Sequence, residues 1–126
     1  MLNGELIDAL VWWEGEAAWS SIAETNTWPA GTGITTTWYV KNTGDVAASF
    51  KVRFMGLKSV GVLLNPGEGA RLYLYPVTPS AGTYSYSLDV LANDTIVKQY
   101  PIQVVTVGVE PVSGFSELKI ASFSKR

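Results

Sequence analysis

From residue 32 onward the apolar side chains recur at every second position. That regularity excludes most folds, because a helix would need them every third or fourth. The run ITTTWYVK sets Ile34, Thr36, Trp38 and Val40 on one side and Thr35, Thr37, Tyr39 and Lys41 on the other. FKVRFM sets Phe50, Val52 and Phe54 against Lys51, Arg53 and Met55, and RLYLY sets Leu72 and Leu74 against Arg71, Tyr73 and Tyr75. TYSYSLDV divides in the same way, with Tyr84, Tyr86, Leu88 and Val90 opposite Ser85, Ser87 and Asp89. Each run reads as a strand with one face in a core and the other in water. Between the runs stand NTGD at 42–45, NPGEG at 65–69, PSAG at 79–82 and ND at 93–94, all with turn chemistry. No long helix fits, and GEAAWSSIAE reads as strand or a single turn. The expectation is all-β: an antiparallel immunoglobulin-like β-sandwich of about seven to nine strands. Pro101, inside IVKQYPIQVV, then marks a bulge or an edge position in the last long strand.

The 126 residues fit one domain, 1–126, able to bury a core without a covalent staple. The chain has neither cysteine nor histidine, which removes disulfides, the usual zinc sites, histidine general bases and Ser-His triads. Catalytic residues, metals and cofactors are therefore not expected. Nine Lys and Arg stand against eleven Asp and Glu with no basic stripe, so nucleic acid is a poor partner. No long apolar run crosses a membrane, and MLNGELIDAL lacks the features of a signal peptide.

The runs ITTTWYVKNTGDVAASFKVRF, LLNPGEGARLYLYP, AGTYSYSLDVLAND and IVKQYPIQVV together resemble the immunoglobulin-like CARDB domains, cell-adhesion-related modules of bacteria and archaea. The likeness rests on a strand ending in V-K-N-T-G, a P-G-E turn before the next, and a G-x-Y opening a later one. It covers about residues 28–107, leaving a Trp-rich segment 1–27 and a tail 108–126 outside it. The resemblance implies an adhesion-like or architectural module and names no catalytic residue.

Carboxylates are the chemistry that remains. Glu14 and Glu16 stand beside aromatic residues, as a sugar-cleaving acid pair would, but read as two solvated acids flanking a glycine turn. Asp89, Asn93 and Asp94 offer oxygen ligands to a calcium ion, yet a hairpin turn accounts equally for Asn93 and Asp94. N-D-T at 93–95 matches a glycosylation acceptor, relevant only in a chain secreted by a eukaryote.

The tryptophans are distributed unevenly: Trp12, Trp13, Trp19, Trp28 and Trp38 all lie in the first 38 residues. Trp38 falls where a sandwich needs its central indole, and Trp28, beside Pro29 at an expected turn, caps one end of the core. In ELIDALVWW strict alternation gives faces Leu6, Asp8, Leu10, Trp12 and Ile7, Ala9, Val11, Trp13, both apolar toward the end. A strand apolar on both sides expects cover on both. The cover is packing under a loop of the same chain, another protein, or a sugar ring stacked on an indole beside Tyr73 and Tyr75. Trp12, Trp13, Trp19, Tyr73 and Tyr75 are thus the candidate interaction surface. SELKIASFS at the C-terminus echoes GELIDALVW, so residues 115–123 are expected to pair with an edge of their own sandwich or of a neighbouring copy. The functional expectation is a non-catalytic structural or adhesion-like subunit of a surface layer or virus particle, partnered by protein through self-association or a larger assembly. The alternative is a carbohydrate-binding module.

Overall fold

The computed structural model describes residues 1–108. Ten strand segments make up the described chain: β1 Gly4–Trp12, β2 Ser20–Ser21, β3 Thr25–Pro29, β4 Thr35–Asn42, β5 Ala48–Phe54, β6 Leu57–Lys58, β7 Val62–Leu64, β8 Gly69–Leu74, β9 Gly82–Ala92 and β10 Thr95–Val107. They form two facing sheets, one ordered β2-β1-β4-β8 and the other β3-β10-β9-β5-β6, with β7 also on β5. The chain is an all-β, immunoglobulin-like sandwich. Its ten segments exceed the expected seven to nine because β2 and β6 are ladders of only two residues, too short to register as periodicity. All pairings are antiparallel except one, β3 against β10, where the chain crosses from the first sheet and enters the second running with its last strand.

The alternating runs fill the space between the sheets. Trp38, Phe50, Val52, Phe54, Leu88 and Val90 are buried to the last percent, and the Trp38 and Phe54 rings lie 5.0 Å apart. The indole nitrogen of Trp38, which would be an orphan donor there, reaches Thr36 Oγ1 at 2.9 Å, and that hydroxyl donates to the Leu74 carbonyl at 3.0 Å. Threonine at an inward position is thus the partner that makes a central tryptophan tolerable. Trp28 sits in β3 rather than at a turn, is 2% exposed, and meets Phe54 edge-on at 6.3 Å. It is a core residue and not a cap on one end.

Two turns explain the motif residues. Asn42, 1% exposed, ends β4 and donates from Nδ2 to the carbonyls of Val46 and Leu64, both at 2.9 Å, while its Oδ1 accepts the Gly44 N–H. One amide therefore closes the β4–β5 turn and ties it to β7. Asn93 and Asp94, at φ 49° and 62°, form the two-residue loop joining β9 to β10, a conformation Asn and Asp tolerate better than most residues.

Pro101 is paired with Ser87 of β9, and β3 covers β10 only from Gln103 onward. Gln103 donates its N–H to Glu24, so the proline nitrogen two residues earlier faces the same side, where no strand lies among the described residues. Pro101 occupies the uncovered half of a strand that is interior farther along, and the bulge in that strand falls at Ile96–Lys98 instead. β1 begins beside Asn42, at one end of the sandwich, and β10 finishes beside Pro29, at the other. The 115–123 segment expected to pair with an edge lies outside the described residues.

Candidate interaction surface

β1 decides which tryptophan goes where. Its pairing with β4 runs from Gly4 opposite Asn42 to Trp12 opposite Thr35, but the register slips between Leu6 and Asp8. This bulge inserts one residue and reverses the phase of all that follows. Leu6 therefore packs toward the core together with Ala9, Val11 and Trp13, while Glu5, Asp8, Leu10 and Trp12 face outward. The faces given by strict alternation are corrected accordingly: Leu6 and Trp12 are on opposite sides.

Trp13 is half-buried against the core. It then opens a turn closed by the Glu16 N–H on its own carbonyl at 2.9 Å, with Gly15 at φ 97° in the third position, where a side chain would be strained. Glu14 is exposed on this turn and Glu16 half-buried. The turn returns the chain so that Trp19, 44% exposed, lies against Trp12, ring centres 6.3 Å apart and tilted by 39°.

Across the outer face of the four-stranded sheet the register lines up three rows. Trp12 stands opposite Thr35; Leu10 opposite Thr37, which is opposite Tyr73; and Asp8 opposite Tyr39, which is opposite Arg71. Tyr73 and Tyr75 are 47% and 67% exposed. Strand spacing puts the β1 and β8 rows about 10 Å apart, with a floor between them of half-buried Thr35 beside Trp12 and buried Thr37 beside Leu10. At one end Arg71 closes this floor. Its guanidinium lies 5.4 Å over the Tyr39 ring, donates to Thr37 Oγ1 at 2.9 Å, and reaches Asp8 Oδ1 at 2.9 Å on the far side of β4. Four of the five candidate residues, Trp12, Trp19, Tyr73 and Tyr75, thus share one face, and Trp13 does not join them.

The same face ends at an open strand. Ile34 and Asn42 donate to the carbonyls of Pro76 and Glu68, so the even-numbered residues of β8 bond to β4. The N–H and C=O groups of Gly69, Arg71 and Tyr73 then point away from the sheet, with no second strand beside them among the described residues. Below this edge lies a groove of about 540 Å³ flanked by Leu57 and Val60, the latter 82% exposed. The alternation of RLYLY was enough to place Tyr73 and Tyr75 outside; that β8 is an edge had no local signal.

The oxygen ligands considered for calcium are occupied and apart. Asp89, 7% exposed on β9, accepts two hydrogen bonds from Arg53, at 3.0 and 2.8 Å, and one each from Ser87 and Gln99. Burial pushes its carboxyl up, and the hydrogen bonds from Gln99, Arg53 and Ser87 with the Arg53 charge more than reverse this, leaving it below the ordinary carboxylate value. Asp94 pairs with Lys51 at 3.0 Å and is likewise held low by that hydrogen bond and charge, while Asn93 Oδ1 accepts the Ser49 N–H. Among the described residues, no cluster of three or more Asp or Glu is gathered to hold a metal ion.

No family model matches the chain, and no curated protein does. Among solved structures, it is similar to the CARDB domain of a Pyrococcus furiosus protein, crystallised in complex with di-metal ions, at 17% identity and a TM-score of 0.46, covering 85% of this chain and 94% of that one.

Proposed function

We propose that this sandwich is a non-catalytic module that binds neighbouring protein, as a structural or adhesion-like subunit of a cell-surface layer or virus particle. The observation that carries the reading is the outer face of the four-stranded sheet, where Trp12, Trp19, Tyr73 and Tyr75 are gathered on a surface running out to an open edge. Soluble domains seldom spend that many large rings on water, and tryptophan and tyrosine dominate the energetic centres of protein interfaces. The composition agrees: 16% charged residues, against roughly 25% in ordinary globular proteins, leaves a surface suited to being covered in an assembly. The test is association measured by sedimentation across a concentration series. Trp12→Ala and Trp19→Ala keep the β-sheet circular dichroism spectrum and lower association; association unchanged in both variants would defeat the reading.

The neighbouring Trp12 and Trp19 rings favour one other reading, a glycan laid along that face with a ring stacked on the Trp12 indole. Quenching of tryptophan fluorescence by soluble polysaccharides, lost in Trp12→Ala, would replace the first reading by this one.

A further inference from the structure

Sheet edges are normally blunted by brevity, proline, lysine or a bulge. β2 and β6 are two residues long, and β3 ends in Pro29 with its inward side chains, Asn26 and Trp28, already buried. The uncovered half of β10 carries Lys98 and Pro101, and that of β1 is bent by its bulge, with the Leu6 N–H taken by the Tyr100 hydroxyl. β8 has none of these devices along Gly69–Leu74, and the N–H and C=O groups of its odd-numbered residues turn outward. Beside its buried Leu72 and Leu74 lies the groove of about 540 Å³ rimmed by exposed Leu57 and Val60. A strand laid here gains a hydrogen-bonded ladder and covers apolar surface in one step.

We infer that the strand on this edge is residues 117–123 of the same chain, running antiparallel to β8. Place and direction select it. The described residues end at Gly108, just beyond β10, where the Ala30 N–H meets the Val107 carbonyl and the Thr106 hydroxyl meets the Ser80 carbonyl. β8 finishes at that same end, its continuation tied there by the Ile34 N–H on Pro76 and the Gly31 N–H on Pro79. A chain returning along β8 from that end necessarily runs against it. Length permits the return. Residues 108–116, nine in number, span up to about 30 Å, while the path is one sheet separation of about 10 Å and roughly three strand spacings of about 5 Å each. That stretch carries Pro111, Ser113 and Gly114, which suit a connection.

The pattern of SELKIASF then fixes the register. Side chains directly opposite in an antiparallel pair share a face. With Leu118 opposite Leu74 and Ile120 opposite Leu72, both apolar residues enter the groove, and Glu117, Lys119 and Ala121 stand on the outer face opposite Tyr75, Tyr73 and Arg71. Phe123 falls opposite Gly69, which has no side chain of its own. A shift of one residue would turn Glu117 and Lys119 inward, and a shift of two would set Ser116 or Ser122 against a buried leucine. The inference goes beyond the proposed protein-binding role and leaves its surface free, because a strand beside β8 does not lie over Trp12 and Trp19.

The test is hydrogen exchange in the full chain, read by NMR at the Arg71 and Tyr73 amides. Both are expected to exchange on the order of a hundredfold more slowly than an open edge allows, at rates that do not change on dilution. Leu118→Lys combined with Ile120→Lys is expected to restore fast exchange at both. The Leu72 amide, on the β4 side of the strand, stays protected in that variant and reports that the sandwich has kept its fold. Glu117→Gln combined with Lys119→Gln, on the outer face, is expected to leave all three amides as they were. Fast exchange at Arg71 and Tyr73 in the parent chain would overturn the inference, as would protection that survives the paired lysines. Protection lost on dilution would overturn it too, and would assign the edge to a neighbouring copy. Association through the Trp12 face is read separately by sedimentation of Trp12→Ala, so either proposal can fail alone.

Discussion

Asn42 is the side chain whose removal tests the architecture most directly, because it is buried and joins three segments. Asn42→Ala deletes hydrogen bonds to Val46, Leu64 and Gly44, each of 2.9 Å. The Val46 and Gly44 groups are partly accessible, so water replaces the lost partner and each bond is worth about 1 kcal/mol. The Leu64 bond is buried, and an orphaned carbonyl there costs roughly 1–3 kcal/mol. The expected loss is then about 3–5 kcal/mol, or roughly 12–20 °C in Tm at about 4 °C per kcal/mol for a domain of this size. Urea unfolding followed by tryptophan fluorescence reads it as a lower midpoint with an unchanged slope. Asn42→Asp sharpens the test. The carboxylate can still accept the Gly44 N–H but faces two carbonyls with nothing to donate, so it costs at least as much at neutral pH. A loss below about 1 kcal/mol in Asn42→Ala, or a neutral Asn42→Asp, would refute the assignment of this residue as the clamp of the β4–β5 turn.

Trp38→Ala should destabilise by about 3–5 kcal/mol as a large-to-small change in a close-packed core; a slight shift of the melt would remove Trp38 from its centre. Gly4→Ala puts a Cβ 2.5 Å from Cε2 of the fully buried Phe50 ring, and overpacking of this kind costs about 1–3 kcal/mol. A variant as stable as the parent would mean that β1 stands farther from the core than described. The depressed Asp89 carboxyl stabilises the fold in full above its ordinary pKa of about 3.9, and that contribution is lost as pH falls through the lower folded value. Asp89→Asn should therefore flatten the acid limb of Tm against pH below the ordinary carboxylate value, and an unaltered limb would argue that other carboxylates control it.

The strands of the core were legible because each carries a two-residue rhythm strong enough to survive without context. Phe50, Val52 and Phe54 and the pair Leu72 and Leu74 point inward as their spacing requires. β1 was misread because both of its phases are apolar, so a slip leaves no gap in the pattern. A cue was present in the acids: Glu5 and Asp8 are three residues apart and both exposed, which strict alternation forbids and a bulge permits. Pro29 beside Trp28 suggests a turn and hence a cap, whereas a proline also suits the last position of an edge strand. The grouping of Trp12 with Trp19 follows from the Trp13–Glu16 turn, and the openness of β8 from the order of strands in the sheet. Neither is a property of a local stretch of sequence.

The first strand enters the sandwich at the Asn42 end and the last leaves it at the Pro29 end, and this fixes how the domain carries a load. A pull applied to the backbone before Gly4 and after Val107 runs along the strands, so the ladders from Gly4–Asn42 to Trp12–Thr35 and from Gln103–Thr25 to Val107–Pro29 are strained lengthwise. Their hydrogen bonds resist together in shear, and no single pair can be peeled open ahead of the rest. A domain threaded in this way meets tension along its strands with whole ladders loaded at once.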